Sequence, residues 1–232
     1  MIYTPGSVIF DLDGTLLDTA PDLAAALNLV LQEEGCKSLP LSSVRSLVGR
    51  GAVHMIKQGL AHAGIRIDGA LPEHLRTRFL GHYRACCIQR TSPFPGTVQA
   101  LTKLRETGHR LAICTNKSYE MSVAIIEGLK LNHFFAGIIG GDTLAQAKPD
   151  PAPIHAAIDL TGGSSKTAIM VGDSITDVHA AIAAGIPAIA VTFGYTEIAP
   201  RDLGADAVID HFDQLIPTIK QVTENRSRRT HA

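Results

Sequence analysis

Cysteine is scarce in this sequence: Cys36, Cys86, Cys87 and Cys114 are the only four, and none stands in a C-x-x-C pair. They are too few for a disulfide framework and wrongly spaced for zinc, so they read as reduced thiols of a cytoplasmic protein. Basic runs are missing too. Lysine and arginine number 21 against 22 acids, for a formal charge of −1, and no positive block precedes the last few residues. Without that electrostatic footprint, nucleic acid is not an expected partner. The longest apolar tract, residues 180–193, is broken by Gly185 and Pro187 and stops short of the roughly 18 residues that would suggest a membrane span. No charged-then-apolar leader opens the chain, which adds to the expectation of a soluble, cytoplasmic protein. The ten histidines are scattered without ligand spacing, and there is no internal repeat or low-complexity segment.

What the 232 residues do contain is apolar material, 45% of the chain, enough for one substantial core and a smaller second one. It comes in short unbroken runs at residues 7–10, 110–114, 134–140, 167–172, 187–193 and 206–209, each followed by a turn and then a helical pattern. Continuous rather than alternating apolar residues suit strands covered on both faces. The expected fold is therefore α/β, a doubly wound (Rossmann-like) parallel sheet. Helix ends are legible as well: Ser118 as a cap for the stripe Met121, Ile125 and Leu129, Asp150 with Pro151 as an N-cap pair, and Gly185 closing a helix over 175–184.

Between Asp18 and Arg90 the rhythm changes. Helical patterns cover 21–34, 52–63 and 72–88 with no convincing strand among them. This stretch is far longer than an ordinary connection and reads as an inserted helical cap. The expected organisation is a catalytic core over 1–17 and 91–220, a cap over 18–90, and a tail over 221–232 whose "ENRSRRTHA" suggests a frayed end.

Ligands of a parallel α/β sheet bind beyond the carboxyl ends of its strands, and polar residues gather there. Asp11 and Asp13 follow the first run, Thr115, Asn116 and Lys117 the second, Asp173, Ser174 and Asp177 "IMVG", and Lys148 lies in the loop "GGDTLAQAKPDP". Singly, each has an ordinary role as a turn former, helix cap or solvated lysine. Four strand ends bearing such groups at once point to chemistry.

"DLDGT" (11–15), "TN" (115–116), Lys148 in "KPDP" and "GDSITD" (172–177) resemble, in order and spacing, the four motifs of the haloacid dehalogenase superfamily. The stretches "APDLAAALN", "VRSLVGRGA" and "VTFGYTEIAPRDLGADAVIDHFDQL" are similar to its phosphoglycolate phosphatases. The resemblance implies a phosphatase acting on a small phosphorylated substrate, with Asp11 as nucleophile. Phosphate-ester hydrolysis calls for up to about 10²¹-fold acceleration, and two anions must meet: a unit charge pair at 4 Å is worth about 4 kcal/mol at an effective dielectric of 20. Cations are needed. Mg²⁺ is the expected cofactor, held by Asp11, Asp173 and the carbonyl of Asp13; Lys148 supplies a second positive charge, as its family counterpart does. Thr115 and the amide of Asn116 are expected on the phosphoryl oxygens, and Asp177 behind them, orienting Lys148 or a water.

Asp13, two positions on in an extended segment, shares a side with Asp11 and is expected to protonate the leaving alkoxide and then activate water. Superfamily dehalogenases lack this second acid, since a halide needs no proton to leave. A substrate carboxylate would need a cation from the cap, where Arg45, Arg50, His54 and Lys57 compete; Arg50, flanked by Gly49 and Gly51, is favoured. Two other readings stay open, a sugar phosphomutase of the same superfamily and a non-catalytic phosphate-sensing module. The oligomeric state is not legible.

Overall fold

The structure, a computed structural model, describes residues 5–196 and 198–230. The chain begins with β1 (Ser7–Phe10) and the two-residue β2 (Leu17–Asp18). Four helices follow: α1 (Ala20–Glu33), α2 (Leu41–Arg45), α3 (Ala52–His62) and α4 (Glu73–Cys86). After β3 (Ser92–Pro93) come α5 (Thr97–Glu106), β4 (Arg110–Cys114), α6 (Tyr119–Gly128), β5 (Phe135–Ile139) and α7 (Ala152–Leu160). The last units are β6 (Ile169–Gly172), α8 (Ile175–Ala183), β7 (Ala188–Val191), β8 (Ala207–Ile209) and α9 (Leu215–Thr230).

Among the described residues six strands form one parallel sheet in the order β5-β4-β1-β6-β7-β8. The chain winds outward from β1 to β4 and β5, then returns to the other flank. The strand order therefore reverses at β1, and the carboxyl ends of β4, β1 and β6 open side by side at the switch point. This is the doubly wound fold the apolar runs imply, and its central strands are covered on both faces. Every residue of β1, β6 and β7 is buried, and successive side chains go to opposite sides. Val8 and Phe10 join one core with Leu111 and Ile113; Ile9 joins a second with Ala112 and Ala190. Small residues dominate the second core, where Ala180, Ala181, Ala184 and Ala188 let α8 lie close to the sheet. The first core is larger and runs without a break into the insert through Leu27, Leu31, Leu75 and Phe79.

The insert leaves and re-enters through an antiparallel ribbon, Leu17 opposite Pro93 and Asp18 opposite Ser92. Neither this ribbon nor the short α2 is visible in the apolar pattern, because both are too short to carry a period. A buried carboxylate ties the entry to the exit: Asp22 accepts from the backbone N–H of Arg90 and Thr91 and from the Thr91 hydroxyl, at 2.8 to 3.1 Å.

Three local expectations change. Ser118 stands at the N-cap of α6 without a side-chain bond, and the Tyr119 N–H is taken by Asp142 from a neighbouring loop. Asp150 caps α7 from one position further out, accepting from Ala152 at 2.9 Å, with Pro151 at the N-cap. The segment expected to fray continues α9: Val222 is buried in the first core, and Arg226 donates to the carbonyls of Ser165 and Gly185. No helix among the described residues is long and apolar enough to cross a membrane.

Candidate active site

Asp11 extends β1 by one rung, its N–H donating to Val171 O at 2.9 Å. This fixes the carboxylate at the mouth of the sheet. The chain then turns sharply through Gly14, whose φ of +87° and position 2.5 Å from Asp173 Oδ2 (measured from an ideal Cβ) admit no side chain. Thr15 follows and donates to Asp173 Oδ1 at 3.0 Å, while the Tyr195 N–H holds the other oxygen at 2.8 Å. Asp177 belongs to a capping box at the start of α8: Ser174 and Asp177 exchange hydrogen bonds across the first turn. Carboxylate oxygens of Asp11, Asp173 and Asp177 thereby lie within 4.8 Å of one another.

Lys148 reaches into this cluster from the β5–α7 loop. Its ammonium donates to Asp11 Oδ1 at 2.7 Å, Asp177 Oδ1 at 2.6 Å and Cys114 O at 2.6 Å, so all three hydrogens have acceptors. Asn116 holds the loop that carries it, its amide bonding both the N–H and the carbonyl of Lys148 at 3.0 Å. The Asn116 side chain thus positions Lys148, a task distinct from the phosphoryl contact expected of its backbone. Thr115 is buried beside Asp11 in the same cavity, with its hydroxyl accepting from the Lys117 N–H.

The electrostatics follow from burial. Desolvation pushes the Asp11 carboxyl up to about 7; Lys148 pulls it back, and Asp177 adds repulsion. Asp173 is driven well above the carboxylate range by burial and by Asp11 and Asp177. Burial alone would lower the Lys148 ammonium, but Asp11 and Asp177 outweigh it and hold its pKa above the usual value. Burial likewise pushes the Cys114 thiol up to about 12, leaving it an inert neighbour. Three carboxylates around one ammonium leave two negative charges unmatched when all are ionised. An all-oxygen donor set with that deficit fits a hard divalent cation such as Mg²⁺, and it contains neither the histidine nor the cysteine that zinc favours.

Asp13 stands apart from this cluster. Its carboxylate accepts from Thr19 Oγ1 at 2.6 Å and from Lys117 Nζ at 2.8 and 2.9 Å, so it is not free to join the other acids. Asp177, expected behind the metal ligands to orient Lys148 or a water, accepts from Lys148 at 2.6 Å, and a carboxylate oxygen of it lies within 4.8 Å of those of Asp11 and Asp173. Asp11, Asp13, Thr115, Asn116 and Lys117 line a cavity of about 270 Å³ whose other wall is the insert: Leu23, Met55, Arg76, Phe79 and Tyr83. Arg50 is not in it. Exposed between Gly49 and Gly51, with φ of +98° and +85°, it borders a separate cleft with His54, Asp173 and Ser174. Arg45 pairs with Asp18 at 2.7 Å and lies over the Tyr195 ring, and Lys57 donates to Gly69 O; neither faces the cavity.

Sequence reasoning passed over Thr15, Thr19 and Tyr83, and it grouped Lys117 with the strand-end residues without giving it a role. Lys117 carried a usable signal, since it follows a strand end directly. Tyr83 carried none, because its approach depends on how α4 packs.

Comparison with known proteins agrees with this geometry. A sequence model of the haloacid dehalogenase-like hydrolases matches residues 8–191. The phosphoglycolate phosphatase of Caulobacter vibrioides is 43% identical over 206 residues, 89% of this chain and 87% of that one. That of Mesorhizobium japonicum is 44% identical over 208 residues, 90% and 92% of the two chains. Among solved structures, a "predicted phosphoglycolate phosphatase" from Haemophilus somnus 129pt superposes with a TM-score of 0.86 at 26% identity, covering 94% of this chain and 99% of that one. With a family match across both flanks of the sheet and relatives alike over nearly their whole length, the chain belongs to the haloacid dehalogenase-like hydrolases.

Proposed function

We propose that this protein is a Mg²⁺-dependent cytoplasmic phosphatase that hydrolyses 2-phosphoglycolate to glycolate and phosphate through an aspartyl-phosphate. The observation that carries the reading is the Lys148 ammonium bridging Asp11 and Asp177 at 2.7 and 2.6 Å inside a buried three-carboxylate cluster. The names of the relatives point to the ester.

In the first step Asp11 attacks phosphorus, the P–O bond to the substrate breaks, and its electron pair leaves with the alkoxide oxygen, which takes a proton from Asp13. In the second step Asp13 removes a proton from water as that oxygen attacks phosphorus, and the acyl-phosphate bond breaks to restore Asp11. Thr19 and Lys117 both donate to Asp13 in the structure, which suits the water-activating step. For the first step one carboxylate oxygen must be released to carry the proton. Lys148 holds Asp11 in place and offsets its charge as the phosphoryl anion approaches. Asp11, Asp173, Asp177 and the carbonyl of Asp13 would hold the cation, which when bound supplies the remaining charge neutralisation. Thr115 and the Asn116 N–H receive phosphoryl oxygens. The helical insert over 18–90 acts as the cap that excludes water from the first step and selects the leaving group.

Phosphate release from 2-phosphoglycolate, measured with Mg²⁺ and again with a chelator, tests the reading. Rapid metal-dependent release is expected. Isomerisation of a sugar phosphate without net phosphate release would replace it with the mutase, and no turnover of any phosphate ester would leave only a sensing role.

A further inference from the structure

The two lysines of the site are not equivalent. Lys148 has an acceptor for each hydrogen, whereas Lys117 places two on Asp13, and its third meets no protein acceptor among the described residues. That ammonium is 4.8 Å from the centre of the Tyr83 ring. Tyr83 Oη is itself buried with no hydrogen-bond partner, the only such side-chain atom among the described residues. Lys117, whose ammonium faces that ring, and Tyr83, whose hydroxyl is closed to solvent, thus both lack an oxygen acceptor and both line the cavity that holds Asp11 and Asp13. Such a lining is short of anionic oxygen. The charged groups lining the cavity are Asp11, Asp13, Lys117, Arg76 and Asp142. Arg76 is half exposed and pairs with Glu73, and Asp142 is engaged by the Tyr119 N–H. Lys117, with its side chain 7% exposed, is the inner cation available to a ligand.

We propose that Lys117 is the specificity-determining residue: its ammonium takes the substrate's carboxylate, and so favours phosphate esters of short hydroxy acids over esters that carry no acid group. The inference rests on the phosphatase reading above. Lys117 Nζ is within 2.9 Å of both Asp13 oxygens, and the ester oxygen must come within about 3 Å of one of them to receive a proton. By those distances the carboxylate oxygen that meets Lys117 lies within about 9 Å of the ester oxygen. A carboxylate one methylene from the ester oxygen falls well inside that limit. Arg50 borders the cleft on the Asp173 side and does not line this cavity.

The test compares 2-phosphoglycolate with 2-hydroxyethyl phosphate, which keeps a two-carbon alkoxide leaving group but has no carboxylate. Matching the leaving groups removes any effect of Lys117 on proton transfer through Asp13. In Lys117→Met the ratio of kcat/KM for the two esters should fall about 10- to 100-fold, the range for a hydrogen bond to a charged group. Lys117→Arg should restore most of it. Should Lys117→Met fail to fold, Lys117→Gln, which keeps a hydrogen-bond donor without the charge, must lower the ratio several-fold. An equal loss on both esters, or an unchanged ratio in both variants, overturns the assignment while leaving the phosphatase reading intact. A wild-type protein that hydrolyses neither ester overturns both.

Discussion

The site has two halves built to different standards. On the sheet side, Asp11, Asp173, Asp177 and Lys148 come from the ends of β1 and β6 and from the β5–α7 loop; each is buried and held by named partners, from Thr15 and the Tyr195 N–H to the Asn116 amide. In the other half, Lys117 at the end of β4 and Tyr83 of the insert keep donors without oxygen acceptors, Arg76 is half exposed, and Arg50 is in solvent. Groups that perform bond chemistry gain from being fixed before the substrate arrives. Groups that recognise a substrate must leave a hydrogen bond unmade for it. The contrast separates a rigid chemical half from a selective half that the ligand completes.

The largest effect should come from the rigid half. Asp11→Asn should lower steady-state phosphate release by at least about 10⁴-fold, as loss of a nucleophile does elsewhere, with the circular dichroism spectrum unchanged; a variant turning over at the wild-type rate would remove Asp11 as nucleophile. Next, the two lysines should separate in stability. Lys148→Met strands Asp11 and Asp177 together and should cost about 3–5 kcal/mol in urea unfolding, whereas Lys117→Met leaves Asp13 its bond from Thr19 and should cost about 1–3 kcal/mol. Equal losses would erase the distinction.

Asn116→Ala removes two bonds to the Lys148 backbone and a longer one, at 3.4 Å, to Gly49 O of the insert, and should lower kcat about tenfold with a smaller change in KM, since its shorter bonds hold a chemical group. A rise in KM alone would move Asn116 into the selective half. The acid cluster also has a pH signature. Asp11 has a folded pKa of about 7 against an ordinary 3.8, so its contribution to stability is complete below about pH 4 and is lost as pH rises through 7; Asp173 shifts in the same direction. A divalent cation competes with those protons, so Mg²⁺ should raise the melting temperature more at pH 8 than at pH 5. The same rise at both would take the cation out of the cluster. Last and smallest, Arg50→Ala should change kcat/KM for 2-phosphoglycolate by less than about threefold, because its guanidinium is exposed outside the cavity. A tenfold rise in KM would return the carboxylate contact to Arg50.

Most of the sheet and the chemical half were legible in the residues alone. Unbroken apolar runs locate buried parallel strands to within two or three residues, because both faces must be covered. Polar residues at the ends of such strands converge wherever the strands adjoin, so Asp11, Thr115 and Asp173 could be grouped without coordinates. The selective half was not legible. Whether Arg50 or Lys117 meets a ligand depends on which way the loop between two positive-φ glycines turns and on where α4 brings Tyr83, and neither is encoded in a local period. The same holds for the Asp142 cap on α6 and for the docking of α9 through Arg226, which join residues more than twenty positions apart. Sequence by itself determined which strands are buried and which acids stand at their ends, since burial and alternation act on neighbouring residues. Only the tertiary structure decided which cation faces the substrate, since that follows from packing between the insert and the sheet.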